Sequence, residues 1–152
     1  MNKIVIIADW LIDYITKEVY MFARHLQTYH NWTIIKLSML NVEEVKQTKS
    51  AVLCITYDSF DISLLKCENI TLIYKIDDLI PTSKIRQKCV EYADLLISPY
   101  QYLFKLKNIH QLYPFIKSKE SYLIPYSAID SFYKNIEFNN APKEKNICFW
   151  RC

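Results

Sequence analysis

The segment Lys3-Ile4-Val5-Ile6-Ile7-Ala8, which runs directly into Asp9, is an unbroken apolar stretch dominated by β-branched residues. Continuous runs of this kind belong to strands buried on both faces of a parallel sheet, whereas half-exposed strands alternate polar with apolar. Working outward, similar runs recur at 32–37, 51–55, 70–76, 95–98 and 121–125, and 146–150 begins a seventh. Helical patterns lie between them. Val19, Phe22, Ala23, Leu26 and Tyr29 form one apolar stripe over 18–30. Asn41 is placed to cap a short helix through Val42 and Val45, with Glu44 in its first turn. After Pro81, Thr82 or Ser83 caps a helix carrying Ile85, Cys89 and Tyr92. Residues 100–106 and 111–116 read as helical, Pro114 dividing the second segment. Regular alternation of buried strands with helices implies right-handed βαβ units, hence an α/β fold with a Rossmann-like, doubly wound parallel sheet in a single domain.

The composition fits one globular domain. The chain has 152 residues, 51% of them hydrophobic and 23% charged, which disfavours disorder, coiled coil and low-complexity fibre. Its net charge of +3 comes from 19 basic and 16 acidic residues scattered along the length. Without a clustered Lys/Arg stripe, nucleic acid is not an expected partner. Glycine is absent, where average usage would supply about eleven. That excludes the G-x-G-x-x-G dinucleotide fingerprint and the Walker A loop, both of which need glycine for close backbone approach to phosphate. The enrichment in Lys, Ile, Asn, Tyr and Phe is what an AT-rich genome produces. Positive-φ positions then fall to residues such as Asn31, Asn69 and Asn139-Asn140.

Cys54, Cys67, Cys89, Cys148 and Cys152 are odd in number and contain no C-x-x-C pair, which reads as reduced thiols rather than a disulfide frame or zinc site. Cys148 and Cys152 alone are a weak metal signal with no nearby histidine. The apolar run at 4–8 is too short for a signal segment, and no run approaches a membrane span, so a cytoplasmic location is expected. Asn31-Trp32-Thr33 and Asn69-Ile70-Thr71 are glycosylation sequons that read instead as turns entering strands. His25 and His30, five residues apart, are not expected on one helical face, and His110 follows a helix end.

In an open α/β sheet the ligand crevice lies beyond the carboxyl ends of the strands. The residues that follow the strands are therefore candidates: Asp9-Trp10, Tyr57-Asp58, Asp77-Asp78, Ser98-Pro99-Tyr100 and Pro125-Tyr126-Ser127. The acids can bind a cation, accept hydrogen bonds from sugar hydroxyls or act as a general base. An Asp after a strand also caps the next helix, although the pair Asp77-Asp78 exceeds what one cap needs. Tyr100, Tyr102, Tyr122 and Tyr126 can stack on a sugar or base, or fill the core. Asp9, Asp58 and Asp77-Asp78 are expected to converge on one sheet edge.

The stretch Leu72-Ile73-Tyr74-Lys75-Ile76-Asp77-Asp78-Leu79, followed by Tyr92-Ala93-Asp94-Leu95-Leu96-Ile97-Ser98, resembles the amino-terminal domain of GT-B glycosyltransferases, in which an "IDDL" strand end precedes an "ADxxIxxS" strand. Tyr122-Leu123-Ile124-Pro125-Tyr126-Ser127-Ala128-Ile129-Asp130 with Phe132-Tyr133 is similar to the family's "vIPxxxDxxxF" exit from that domain. Lys145-Asn146-Ile147-Cys148-Phe149-Trp150 is similar to the opening strand of the second domain. The resemblance implies a domain over 1–140, with 141–152 as linker and orphan first strand of a second domain. It also implies an acceptor-binding half of a sugar transferase. Asp9, Trp10, Tyr57, Asp58, Asp77, Asp78, Ser98, Tyr100 and Tyr126 are its acceptor-binding candidates; the catalytic residues stay unassigned. The family's glycine-rich first loop is replaced by Asp9-Trp10-Leu11-Ile12-Asp13, and no glycine follows Trp150. No cofactor or metal is therefore expected in this chain. A sugar nucleotide would be held by the second domain, on a complementary chain, and the isolated chain is not expected to transfer sugar.

The expected partners are a sugar or glycan acceptor and either that donor-binding chain or a second copy engaged through residues 146–150. Two other readings compete. One is a flavodoxin-like interaction domain without ligand. The other is a degenerate receiver-type signalling domain, suggested by Asp9 and Asp58 but lacking a lysine after Leu96-Ile97-Ser98.

Overall fold

A computed structural model of the chain describes residues 2–12, 17–76, 83–100 and 107–124. Six strands, β1 (Lys3–Ile7), β2 (Trp32–Lys36), β3 (Ala51–Ile55), β4 (Thr71–Lys75), β5 (Leu95–Ser98) and β6 (Glu120–Leu123), form one sheet in the order β2-β1-β3-β4-β5-β6. Every neighbouring pair is parallel, with Ile4 opposite Thr33 on one side and Val52 on the other. The helices are α1 (Asp9–Ile12), α2 (Lys17–His30), α3 (Val42–Thr48), α4 (Lys84–Tyr92) and α5 (Lys107–Leu112).

Alternation along the central strands builds two cores at once. Ile4, Ile6, Val52, Cys54, Leu72, Tyr74 and Leu96 face one side, where Val45 of α3, Cys89 and Val90 of α4 and Ile109 of α5 cover them. Val5, Ile7, Leu53, Ile55 and Ile97 face the other, under Leu11 of α1 and Val19, Phe22 and Ala23 of α2. The parallel α/β class thus follows from runs such as 3–8, buried on both faces. The strand order differs from the Rossmann arrangement 3-2-1-4-5-6: β1 lies between β2 and β3, and the order reverses at the β1/β3 boundary.

Local signals act where the sequence places them. Asn41 accepts from the Glu44 amide to cap α3, and Ser83 accepts from the Arg86 amide to cap α4. Several expectations are corrected. On α4 the inward stripe is Arg86, Cys89, Val90 and Ala93, at three- and four-residue spacing, so Ile85 and Tyr92 are exposed. Tyr29 is likewise exposed near the end of α2, with its ring against that of His25. The helix expected over 111–116 is displaced: α5 ends at Leu112, and Pro114 opens a 3-10 turn through Ser118, because proline fits a first turn better than a helix interior. Asn31 has the positive φ of 57° expected of it, whereas Asn69 does not; among the described residues the second left-handed one is Tyr57, at 52°. Between β3 and β4 the connection is a 3-10 turn, Ile62–Leu65, capped by Asp61.

Asp94 organises the amino-terminal end of the sheet. Its carboxylate accepts from the Leu72 amide at 2.8 Å and pairs with Lys66, while its own amide donates to the Leu72 carbonyl. Lys119 donates to the Ala93 carbonyl at 2.8 Å and to that of Glu91, closing the last turn of α4; burial holds its ammonium pKa below the ordinary lysine value. The expectations for Asp77-Asp78, Tyr102, Tyr126, Asn139-Asn140, Cys148, Cys152, strand 146–150 and the boundary at residue 140 lie outside the described residues, as does most of the helix expected over 100–106.

Candidate functional site

Because all six strands are parallel, their carboxyl ends share one edge of the sheet. The β1/β3 boundary opens there, and the residues after these two strands meet across it. Trp10, in the first turn of α1, stacks on Tyr57 with ring centroids 5.5 Å apart and planes inclined at 50°. Its indole N–H donates to Ser59 Oγ at 3.2 Å. Trp10 nevertheless remains 46% exposed, so one aromatic face is anchored by two contacts yet open to solvent.

Tyr57 is held in an uncommon backbone state. It is the first central residue of a turn closed by the Ser59 amide on the Thr56 carbonyl at 2.9 Å, and its φ of 52° suits Gly, Asn or Asp far better than an aromatic residue. The Tyr74 hydroxyl, buried in β4, donates to the Tyr57 carbonyl at 2.9 Å. Burial raises the Tyr74 pKa well above its ordinary value of 10.0, so the phenol keeps its proton and stays a donor.

Arg86 completes the cluster. Its guanidinium lies 5.6 Å from the centre of the Tyr57 ring and 3.7 Å from Asp58 Oδ1. The residue is only 7% exposed, whereas the Asp58 side chain is open to solvent. Trp10 and Arg86 therefore both lie against the Tyr57 ring, flanked by the Asp58 carboxylate and the Ser59 hydroxyl. Such a surface offers an apolar face beside an exposed carboxylate and a hydroxyl, the combination that fits a ring bearing hydroxyls.

Asp9 and Asp58 share this edge but are engaged differently. Both carboxylate oxygens of Asp9 accept from Ser38, one from the amide at 2.9 Å and one from the hydroxyl, tying the end of β1 to the end of β2. These bonds, aided by Lys36, hold its pKa below the ordinary 3.8. Asp9 is thus a brace between strand ends. Ser98 is buried, accepts from the Tyr100 amide at 3.1 Å through Oγ and from the Ile124 amide at 2.9 Å through its carbonyl. Tyr100 packs against the core on the α4 side. These two residues shape the β5 turn, two strands away from Tyr57.

Sequence reasoning missed Arg86, Lys75 and Ser59. A signal for Arg86 was present: Ser83 fixes the start of α4, and a helix following a parallel strand starts at the carboxyl edge. A cation in that first turn opposes the helix dipole and needs another partner, here the side chains of Tyr57 and Asp58. Lys75, the last residue of β4, is buried with its ammonium 5.9 Å from the Phe22 ring centre. The His25 and His30 rings, expected apart, lie 5.5 Å from each other because His30 ends α2 and its ring is free to fold back. Among the described residues no three His, Cys, Asp or Glu side chains group to hold a metal ion, and no helix there is long and apolar enough to cross a membrane. Comparison with family models, with curated proteins and with solved structures finds no match to this chain.

Proposed function

We propose that the carboxyl edge at the β1/β3 boundary binds a sugar, and that the chain acts as the acceptor-binding half of a GT-B-type glycosyltransferase. The observation that carries this reading is the half-exposed Trp10 ring stacked on Tyr57, beside the Asp58–Arg86 pair. A pyranose places its C–H face on the indole and its hydroxyls on the Asp58 carboxylate and Ser59 Oγ, with the buried Arg86 guanidinium holding Asp58 from beneath. Donor diphosphate is assigned to a separate unit, because a chain without glycine has no loop that lets backbone amides close around phosphate. The two units together would then form the transfer site, with a complementary chain or second domain as partner.

Titrating a panel of methyl glycosides and N-acetylhexosamines while following tryptophan fluorescence tests the reading. At least one is expected to give a saturable change that disappears in Trp10→Ala and weakens about tenfold in Asp58→Asn, the loss of one charge-assisted hydrogen bond. No saturable response at millimolar sugar overturns the proposal. The order β2-β1-β3-β4-β5, which is the flavodoxin-like one, favours a ligand-free interaction domain as the second reading, and that negative result would select it.

A further inference from the structure

Outside the β1/β3 boundary, a groove of about 430 Å³ lies between α2 and the free side of β2. Tyr20, Arg24 and Gln27 form one wall at the spacing of a single helix stripe, and Ile34, Ile35 and Lys36 form the other. Side chains of consecutive strand residues point to opposite faces, so a groove touched by three in succession wraps around the strand's edge. β2 is the terminal strand of the sheet. Its ends are closed by Ile12 and Met39.

The chemistry of the lining is one-sided. Arg24 and Lys36 contribute two cations; among the described residues no Asp or Glu lines the groove and neither cation is in a salt bridge. The partly buried Arg24 guanidinium donates to Gln27 Oε1, which orients it while most of its N–H donors remain. The rest of the surface is apolar, including Met39 at 73% exposure. Addition of a peptide strand at this edge is opposed by the short length of β2 and by Lys36 upon it. A volume in this range suits a single small molecule.

We propose that this groove binds a small amphipathic anion, its carboxylate, sulfonate or phosphate head paired with Arg24 and Lys36 and its apolar body resting on Ile34 and Met39. The site is separate from the sugar-binding edge and does not depend on that reading.

Anilinonaphthalene sulfonate and its uncharged analogue phenylnaphthylamine serve as probes, each titrated by fluorescence against the full chain. The sulfonate is expected to bind one saturable site and to weaken about tenfold in the Arg24→Gln/Lys36→Gln double variant, the effect of losing one half-buried and one exposed charge contact. The neutral analogue should be unchanged, and Trp10→Ala should bind the sulfonate as the parent does. Lys36→Gln alone, at an exposed position that leaves the fold intact, should show a smaller loss in the same direction. Equal loss for both probes, no loss in either variant, or abolition by Trp10→Ala overturns the proposal.

Discussion

Tyr57 shows how one residue's backbone can be set against its own preference. A left-handed conformation costs an L-residue with a β-carbon about 1–2 kcal/mol, and no glycine is available to avoid it. The conformation is held by the Tyr74 hydroxyl on the Tyr57 carbonyl and by the contacts of the ring with Trp10 and Arg86. In an ordinary strand or helix Ala is more stable than Gly by roughly 0.5–1 kcal/mol; at this position the order should invert. Tyr57→Gly is expected to be more stable than Tyr57→Ala by about 1 kcal/mol in urea unfolding, because only Gly relieves the strain. Both should lose the aromatic stack and with it the sugar response. An Ala variant as stable as the Gly variant would show that the backbone is unstrained. Asn31 was legible because asparagine tolerates positive φ. Tyr57 was not, because nothing local to Thr56-Tyr57-Asp58 announces a bond arriving from Tyr74, seventeen residues along the chain.

Elements were legible where their causes are local. β3 and β5 occupy the residues their apolar runs mark out, and α3 and α4 start where Asn41 and Ser83 cap them. Elements set by tertiary contact were not: α1 is a single turn begun by a residue whose carboxylate belongs to Ser38, and the 3-10 turn Ile62–Leu65 is held against α4, with Lys88 on Asp61 at 2.8 Å. Asp94 belongs to the same class. It serves the amide of Leu72, a fully buried residue of β4, and an exposed ammonium, Lys66, through different oxygens. An exposed ion pair contributes about 0–1 kcal/mol, whereas a buried amide left without an acceptor costs about 1–3 kcal/mol. Asp94→Ala should therefore destabilise the chain by about 2 kcal/mol and Lys66→Ala by less than about 0.5 kcal/mol, read from urea midpoints at unchanged slope. Equal effects would assign Asp94's contribution to the ion pair instead.

At the scale of the molecule the parallel α/β class was readable and the strand order was not. Runs buried on both faces look alike whichever neighbours they pair with, so 3–8, 51–55 and 70–76 carry no record of adjacency. The order matters because it places β3 inside the sheet, between β1 and β4, and so protects Cys54 from both edges as well as from both faces. Burial pushes the Cys54 thiol far above its ordinary 9.0 and that of Cys89 to about 11, so neither is a nucleophile while folded. Cys67 is only partly buried, near the amino-terminal end of β4. In a Cys148→Ser/Cys152→Ser chain, dithionitrobenzoate should label Cys67 first and Cys54 last. Cys89 lies on α4 and donates to the Phe60 carbonyl, a contact that opening of one helix breaks, so it should react between them. Cys54 projects from the centre of the face that α3, α4 and α5 cover, so its exposure needs more of that layer to lift than Cys89 does. Its labelling rate should rise with urea along the slope of global unfolding. A Cys54 rate matching that of Cys67, or independent of urea, would mean that the helix layer over this face lifts from the sheet without global unfolding.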